Sequence, residues 1–100
     1  MSKIIITIDD EDILELIPTY LEGRREEVDI LRDAAERKDF ISVRDIGHKL
    51  RGSGGGFGFD RISEIGQDLE ASAKAQDLPS VIQNIALLQD YLERVEVVGA

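Results

Sequence analysis

One hundred residues leave room for one domain, spanning residues 1–100, and little for a second. Hydrophobic residues make up 42% of the chain and charged residues 33%, a globular balance and not a disordered one. Twelve Lys and Arg against twenty-one Asp and Glu give a net charge of −9, which argues against nucleic acid or an anionic membrane as a partner. With no Cys and a single His, disulfides, thiol catalysis and multi-imidazole metal sites are excluded. The longest apolar run, Ile4-Ile5-Ile6, is too short for a membrane span or a signal-peptide core, so a cytoplasmic protein is expected.

The N-terminal Ile4-Ile5-Ile6-Thr7-Ile8 is β-branched and poor in helix formers. Asp10 or Asp12 then stands where a short helix carrying Ile13, Leu14, Leu16 and Ile17 would be capped. Pro18 reads as the opening of a second helix, because a proline at the first position gives up no hydrogen bond. From it Leu21, Val28, Leu31 and Ala35 form one apolar stripe. Asp39 caps the next helix, on which Val43, Ile46, Leu50, Ser53 and Phe57 recur at threes and fours until Gly58 offers a stop. Asp60 is the next cap, before Ile62, Ile65, Leu69 and Ala73. Asp77-Leu78-Pro79 opens the last helix, with Val81, Ile85, Leu88, Leu92 and Val95 on its stripe. The expected fold is all-α: an antiparallel four-helix bundle with a short extra N-terminal helix. The two chain ends are candidates for a small β-ribbon, since Val95-Glu96-Val97-Val98 alternates weakly and domain termini often lie close together.

The chemistry concentrates between Arg44 and Gly58. On a helix, Ile46, Leu50, Ser53 and Phe57 cluster on one face, and His48 points about 160–200° away from them. His48 is therefore expected in solvent, with Arg44, Arg51, Gly52 and Gly55 as helical neighbours. From Arg44 to Arg51 three basic side chains face one acid, a local excess of positive charge in an acidic chain. Each helical glycine costs about 0.8–1.0 kcal/mol against alanine, so the Gly54-Gly55-Gly56 run calls for a return. Close approach of a neighbouring helix at Gly54 is one return, and clearance over the imidazole at Gly52 and Gly55 is another. A neutral imidazole is a good nucleophile near neutral pH. The basic side chains around it suit a phosphoryl group arriving on its ring nitrogen.

Competing patterns fail. Neither G-x-G-x-x-G nor the Gly-Lys-Ser/Thr of a nucleotide loop can be read from the glycine run, and no strand precedes it. Asp9-Asp10-Glu11-Asp12 lacks the glycine and closing glutamate of a calcium loop, so capping and dipole compensation are the better reading.

The segment His48-Lys49-Leu50-Arg51-Gly52-Ser53-Gly54-Gly55-Gly56-Phe57-Gly58 resembles the signature of the histidine-containing phosphotransfer (HPt) domain of two-component phosphorelays. That signature runs His, any residue, hydrophobic, Lys or Arg, Gly, two small residues, two variable positions, hydrophobic, Gly. The similarity extends roughly from Ile13 to Tyr91 and includes Ile62, Ile65 and Leu69-Glu70. The three successive glycines depart from the helix-friendlier residues that many members carry there.

The resemblance implies that His48 accepts the phosphoryl group and that Arg51 supports it, with Lys49 and Arg44 as further basic candidates. Gly52 and Gly55 would leave the ring open to a docking partner. The partners implied are response-regulator receiver domains or a hybrid histidine kinase, and a monomer is expected. No cofactor is expected on this chain, and Mg²⁺ belongs to the receiver. The alternatives are an interaction module that binds a receiver or kinase without transfer, or a domain cut from a chemotaxis-type or hybrid kinase.

Overall fold

The structure is a computed structural model that describes residues 2–100. Strand β1 (Ile4–Ile8) leads into helices α1 (Glu11–Glu36) and α2 (Phe40–Ser53). After a single 3₁₀ turn at Gly55–Phe57 come α3 (Asp60–Lys74), α4 (Leu78–Arg94) and strand β2 (Val95–Gly99). The helices pack in a ring, α1 against α2 and α4, and α3 against α2 and α4. The contact between α2 and α3 is the most extensive. Every stripe residue expected on α1, α3 and α4 is buried except Val95, which belongs to β2 and is half-buried.

The separate N-terminal helix is not formed. Residues 11–36 make one helix with Pro18 in its interior. Asp10 caps it, its carboxylate accepting from the amides of Asp12 and Ile13. Proline in a helix forfeits one bond to the carbonyl four residues back. Pro18 is exposed, while Ile17, Tyr20 and Leu21 continue the same buried face as Val28 and Leu31. Burial of one continuous stripe outweighs one backbone bond. Leu16, one of the apolar residues expected on the short N-terminal helix, is 54% exposed.

Two links are built alike. Lys38 and Gln76 take positive φ at the ends of α1 and α3, a role usually given to glycine. The next residue in each case, Asp39 or Asp77, caps the following helix. Each carboxylate accepts from both the amide and the hydroxyl of the serine three residues on, Ser42 or Ser80. Asp60, by contrast, is the first residue of α3, and the capping position is held by Phe59 with no side-chain bond.

The chain ends do pair. β1 and β2 form a parallel two-stranded sheet with Ile4 opposite Val95 and Ile8 opposite Gly99. Parallel strands need a long crossover, and here all four helices serve as one. The sheet lies against the helices through Ile8, which is buried, and Leu14, which is 3.4 Å from the place a Cβ would take at Gly99.

Candidate functional site

α2 ends earlier than its apolar spacing implied, and this shapes the site. The helix stops at Ser53, and Gly54 is its last cap. A Cβ on Gly54 would lie 2.7 Å from the Ser63 amide nitrogen and 2.8 Å from the Phe59 carbonyl oxygen. The close approach expected at Gly54 is thus real, and the neighbour is the start of α3. Gly58 adopts φ 94°, the left-handed turn that sends the chain into α3. Phe57 is consequently not on α2. It stacks on Tyr20 of α1 with ring centres 4.2 Å apart, beside the buried Phe59. Ser53 is on the stripe because its Oγ meets the Tyr20 hydroxyl at 2.9 Å. The Ser63 hydroxyl donates to the Arg51 carbonyl and accepts from the Gly55 amide, fastening the end of α2 to α3.

Ile46 and Leu50 are buried and the side chain of His48 is 64% exposed, as the helical spacing required. Beneath the ring lies a residue that the spacing argument did not single out. Glu70 of α3 is buried, with one carboxylate oxygen 3.2 Å from His48 Nδ1 and the other 2.9 Å from an Arg51 guanidinium nitrogen. Two glycines make this reach possible. A Cβ at Gly66 would stand 2.5 Å from the Arg51 amide nitrogen, and one at Gly47 would stand 2.8 Å from the Glu70 amide nitrogen. Only glycines allow α2 and α3 to approach so closely, which brings the short Glu70 side chain under the imidazole. The sequence held a signal for this, a glycine immediately before His48 and another four residues before Glu70. It becomes readable only once the two helices are known to cross there.

The geometry assigns the ring's tautomer. A carboxylate can only accept, so Nδ1 carries the proton and donates it to Glu70. The lone pair of the neutral ring is then on Nε2, the nitrogen away from Glu70. Charge accompanies geometry: Arg51 neutralises Glu70 in the resting protein, and a second positive charge on the ring would be stabilised by the same carboxylate.

The remaining candidates are spread out. Of the three basic candidates, Arg51 is the one that reaches Glu70, while Arg44 and Lys49 are exposed on the surface of α2. Gly52 is exposed, and a Cβ there would meet nothing within 4 Å. Gly55 does not continue the face of His48 as a helical residue, because α2 has ended; it is exposed in the 3₁₀ turn beside Asp60 and Ser63. Among the described residues no three metal-ligating side chains converge, and no helix is long and apolar enough to cross a membrane.

The helices thus present an exposed histidine held from below by a buried carboxylate and flanked by an arginine and a bare glycine. The family model described as the Hpt domain matches residues 15–97, and the chain belongs to that family, the phosphotransfer modules of two-component phosphorelays. No curated protein and no solved structure matches the chain.

Proposed function

We propose that this protein is a phosphoryl carrier in which His48 takes a phosphoryl group from the phosphoaspartate of one receiver domain and passes it to another. The observation that carries this reading is the Nδ1–Glu70 bond, which leaves the Nε2 lone pair free on an exposed ring. In the forward step Nε2 attacks phosphorus, and the N–P bond forms as the P–O bond to the receiver's aspartate breaks. That aspartate leaves as a carboxylate with the electron pair. The ring gains positive charge while keeping its Nδ1 proton, and Glu70 stabilises that charge. Return of the phosphoryl group to a second aspartate is the same step reversed.

Arg51 is the residue nearest at hand to support the phosphoryl oxygens, since it already lies beside the ring on Glu70. Lys49 and Arg44 add positive potential for docking. Gly52, and Gly55 past the helix end, leave the approach open. Mg²⁺ and the leaving aspartate come with the receiver, and the chain acts as a carrier without ATP-dependent kinase activity of its own. We read the helices as an antiparallel bundle. Tyr20 meets Ser53, while fourteen residues later the Ala34 carbonyl meets the Asp39 amide, so α1 and α2 run in opposite directions. A cytoplasmic monomer suits this role.

The test is incubation with receiver domains from the same cell, charged by acetyl phosphate, using wild type and His48→Gln. Acid-labile label on wild type alone is the expected result. Binding without label on wild type would make this an interaction module.

A further inference from the structure

One edge of the two-stranded sheet is unguarded. β1 reads Ile4-Ile5-Ile6-Thr7-Ile8, with no proline, glycine or charge to deter a further strand. Edge strands of soluble proteins usually carry such a guard, and a sheet of only two strands is marginal until more are added to it. β2 differs, with Glu96 within it and Gly99 at its end.

The ladder determines which groups this edge offers. The Ile8 carbonyl accepts from the Ala100 amide at 3.3 Å, and at the other end the Ser2 carbonyl accepts from Arg94, the residue before β2. Main-chain groups alternate in direction along a strand. Those of Ile4, Ile6 and Ile8 therefore point to β2, and those of Lys3, Ile5 and Thr7 point away from it. Among the described residues no turn or cap backbone takes the latter up. Side chains alternate too: Ile5 and Thr7 are exposed, while Ile4, Ile6 and Ile8 turn toward the helices. Ile4 and Ile6 also wall a hollow with Leu87 and Tyr91 of α4. No residue of β2 lines it, so it opens under the free edge.

The flanking charges select the strand that fits. Lys3 and Asp9 stand three residues to either side of Ile6, and both are exposed. Let β1 pair antiparallel with β1 of a second copy, centred on Ile6. Lys3 of each copy then lies opposite Asp9 of the other. Ile5 of one copy and Thr7 of the other become a hydrogen-bonded pair, as the outward groups of the edge require. Every residue of the strand finds a partner, and Ile4, Ile6 and Ile8 of the two copies adjoin on the helix side. A slide of two residues keeps the ladder but sets Lys3 opposite Thr7 or Asp9 opposite Ile5. A parallel pairing brings like charges level. Lys3 Nζ lies 3.2 Å from Glu96 on the outer face and has donors left for a second carboxylate.

We propose that two copies of this chain associate edge to edge through β1. Their two-stranded sheets join into one, in the order β2-β1-β1-β2, about a two-fold axis at Ile6. The same strand serves on both sides, so the contact closes at two copies. The new outer edges are those of β2, where Glu96 and Gly99 oppose further growth. Five strand residues span ~17 Å, and their pairing covers less than the usual ~800 Å² per partner, so the dimer is reversible and depends on concentration. Transfer at His48 needs only one chain, and self-association through β1 stands or falls apart from the carrier role.

The experiment is sedimentation equilibrium of the full chain without an N-terminal tag, with the concentration raised from the micromolar into the millimolar range. The expected result is a mass that climbs from 11.1 kDa toward twice that value. Lys3→Glu and Asp9→Lys should each weaken association roughly tenfold or more, because two-fold symmetry applies each change twice. An equimolar mixture of these two variants restores both ion pairs and should associate as wild type does. Thr7→Pro removes an amide that points to the free edge, keeps the bonds to β2, and should hold the chain monomeric. Melting curves confirm that each variant is folded, and the charge variants decide the matter if Thr7→Pro is not. A mass of 11.1 kDa at every concentration overturns the dimer. Association that persists in a folded Thr7→Pro, that ignores the single charge reversals, or that the mixture fails to recover overturns its assignment to β1.

Discussion

Replacing Glu70 by glutamine keeps the shape of the side chain and removes its charge, which isolates what the carboxylate does for His48. In the native site the two carboxylate oxygens are divided between Nδ1 at 3.2 Å and the Arg51 guanidinium at 2.9 Å. A hydrogen bond to a charged group contributes roughly 1.5–3 kcal/mol, and one between neutral groups roughly 0.5–1.5 kcal/mol. The carboxylate is buried but the ring is mostly in water, so the lower end of the difference applies, about 1 kcal/mol on the cationic ring that develops during transfer. That is a loss of about fivefold in transfer rate. The amide also brings a donor, so Nδ1 is no longer obliged to keep the proton. Glu70→Ala removes the acceptor altogether and should slow transfer further, while freeing Arg51 to the solvent. The assay is a single-turnover time course with a charged receiver, beside ¹⁵N spectra of the one histidine. A full rate in Glu70→Gln with the Nδ1 proton retained would refute the assignment of tautomer and charge stabilisation to this carboxylate.

The glycines divide by role. Gly52→Gln should keep the fold, gain up to about 1 kcal/mol in helix propensity, and block transfer from a receiver, because a Cβ there meets only solvent. Gly66→Ala should instead lower stability in urea by roughly 1–3 kcal/mol or more, because its Cβ would stand 2.5 Å from the Arg51 backbone; an unchanged midpoint would disprove the close crossing. Gln76→Gly should raise the melting temperature, relieving about 1 kcal/mol of left-handed strain, and a lower one would contradict the link geometry. Asp39 has its carboxyl held below the ordinary value of 3.8 by the Ser42 hydroxyl and amide, with Arg37 adding to the effect. Its contribution is therefore complete above that value and is lost as pH falls through the lower folded value. The stability gap between wild type and Asp39→Asn should be open at pH 6 and close toward pH 3; a gap constant with pH would disprove the cap.

Periodicity made the four main helices legible because each buries a stripe of three or more aliphatic residues at threes and fours. It made His48 legible for the same reason, since Ile46 and Leu50 turn their backs to solvent and the histidine follows by angle. Pro18 misled because the local rule for proline is strong, whereas the in-phase stripe from Ile17 to Leu31 acts over four turns. Phe57 misled because its spacing continues α2, and only the crowding of Gly54 against α3 ends the helix at Ser53. Composition made the β-branched chain ends candidates for pairing, but it carries no signal for the parallel sense, which depends on how many helices intervene. Glu70 was out of reach of any single-helix argument. Its role arises from the crossing at Gly47 and Gly66, nineteen residues apart in sequence, and from a charge that is apparent only when Arg51 is seen beside it.

With a single histidine in the chain, ¹⁵N-imidazole spectra report His48 alone. The most direct measurement is that spectrum before and after incubation with a charged receiver domain. The account predicts a neutral ring with its proton on Nδ1 at the start, then phosphorus coupling on Nε2 with the Nδ1 proton retained. Phosphorus on Nδ1, or a ring unchanged by every receiver of the same cell, would contradict it.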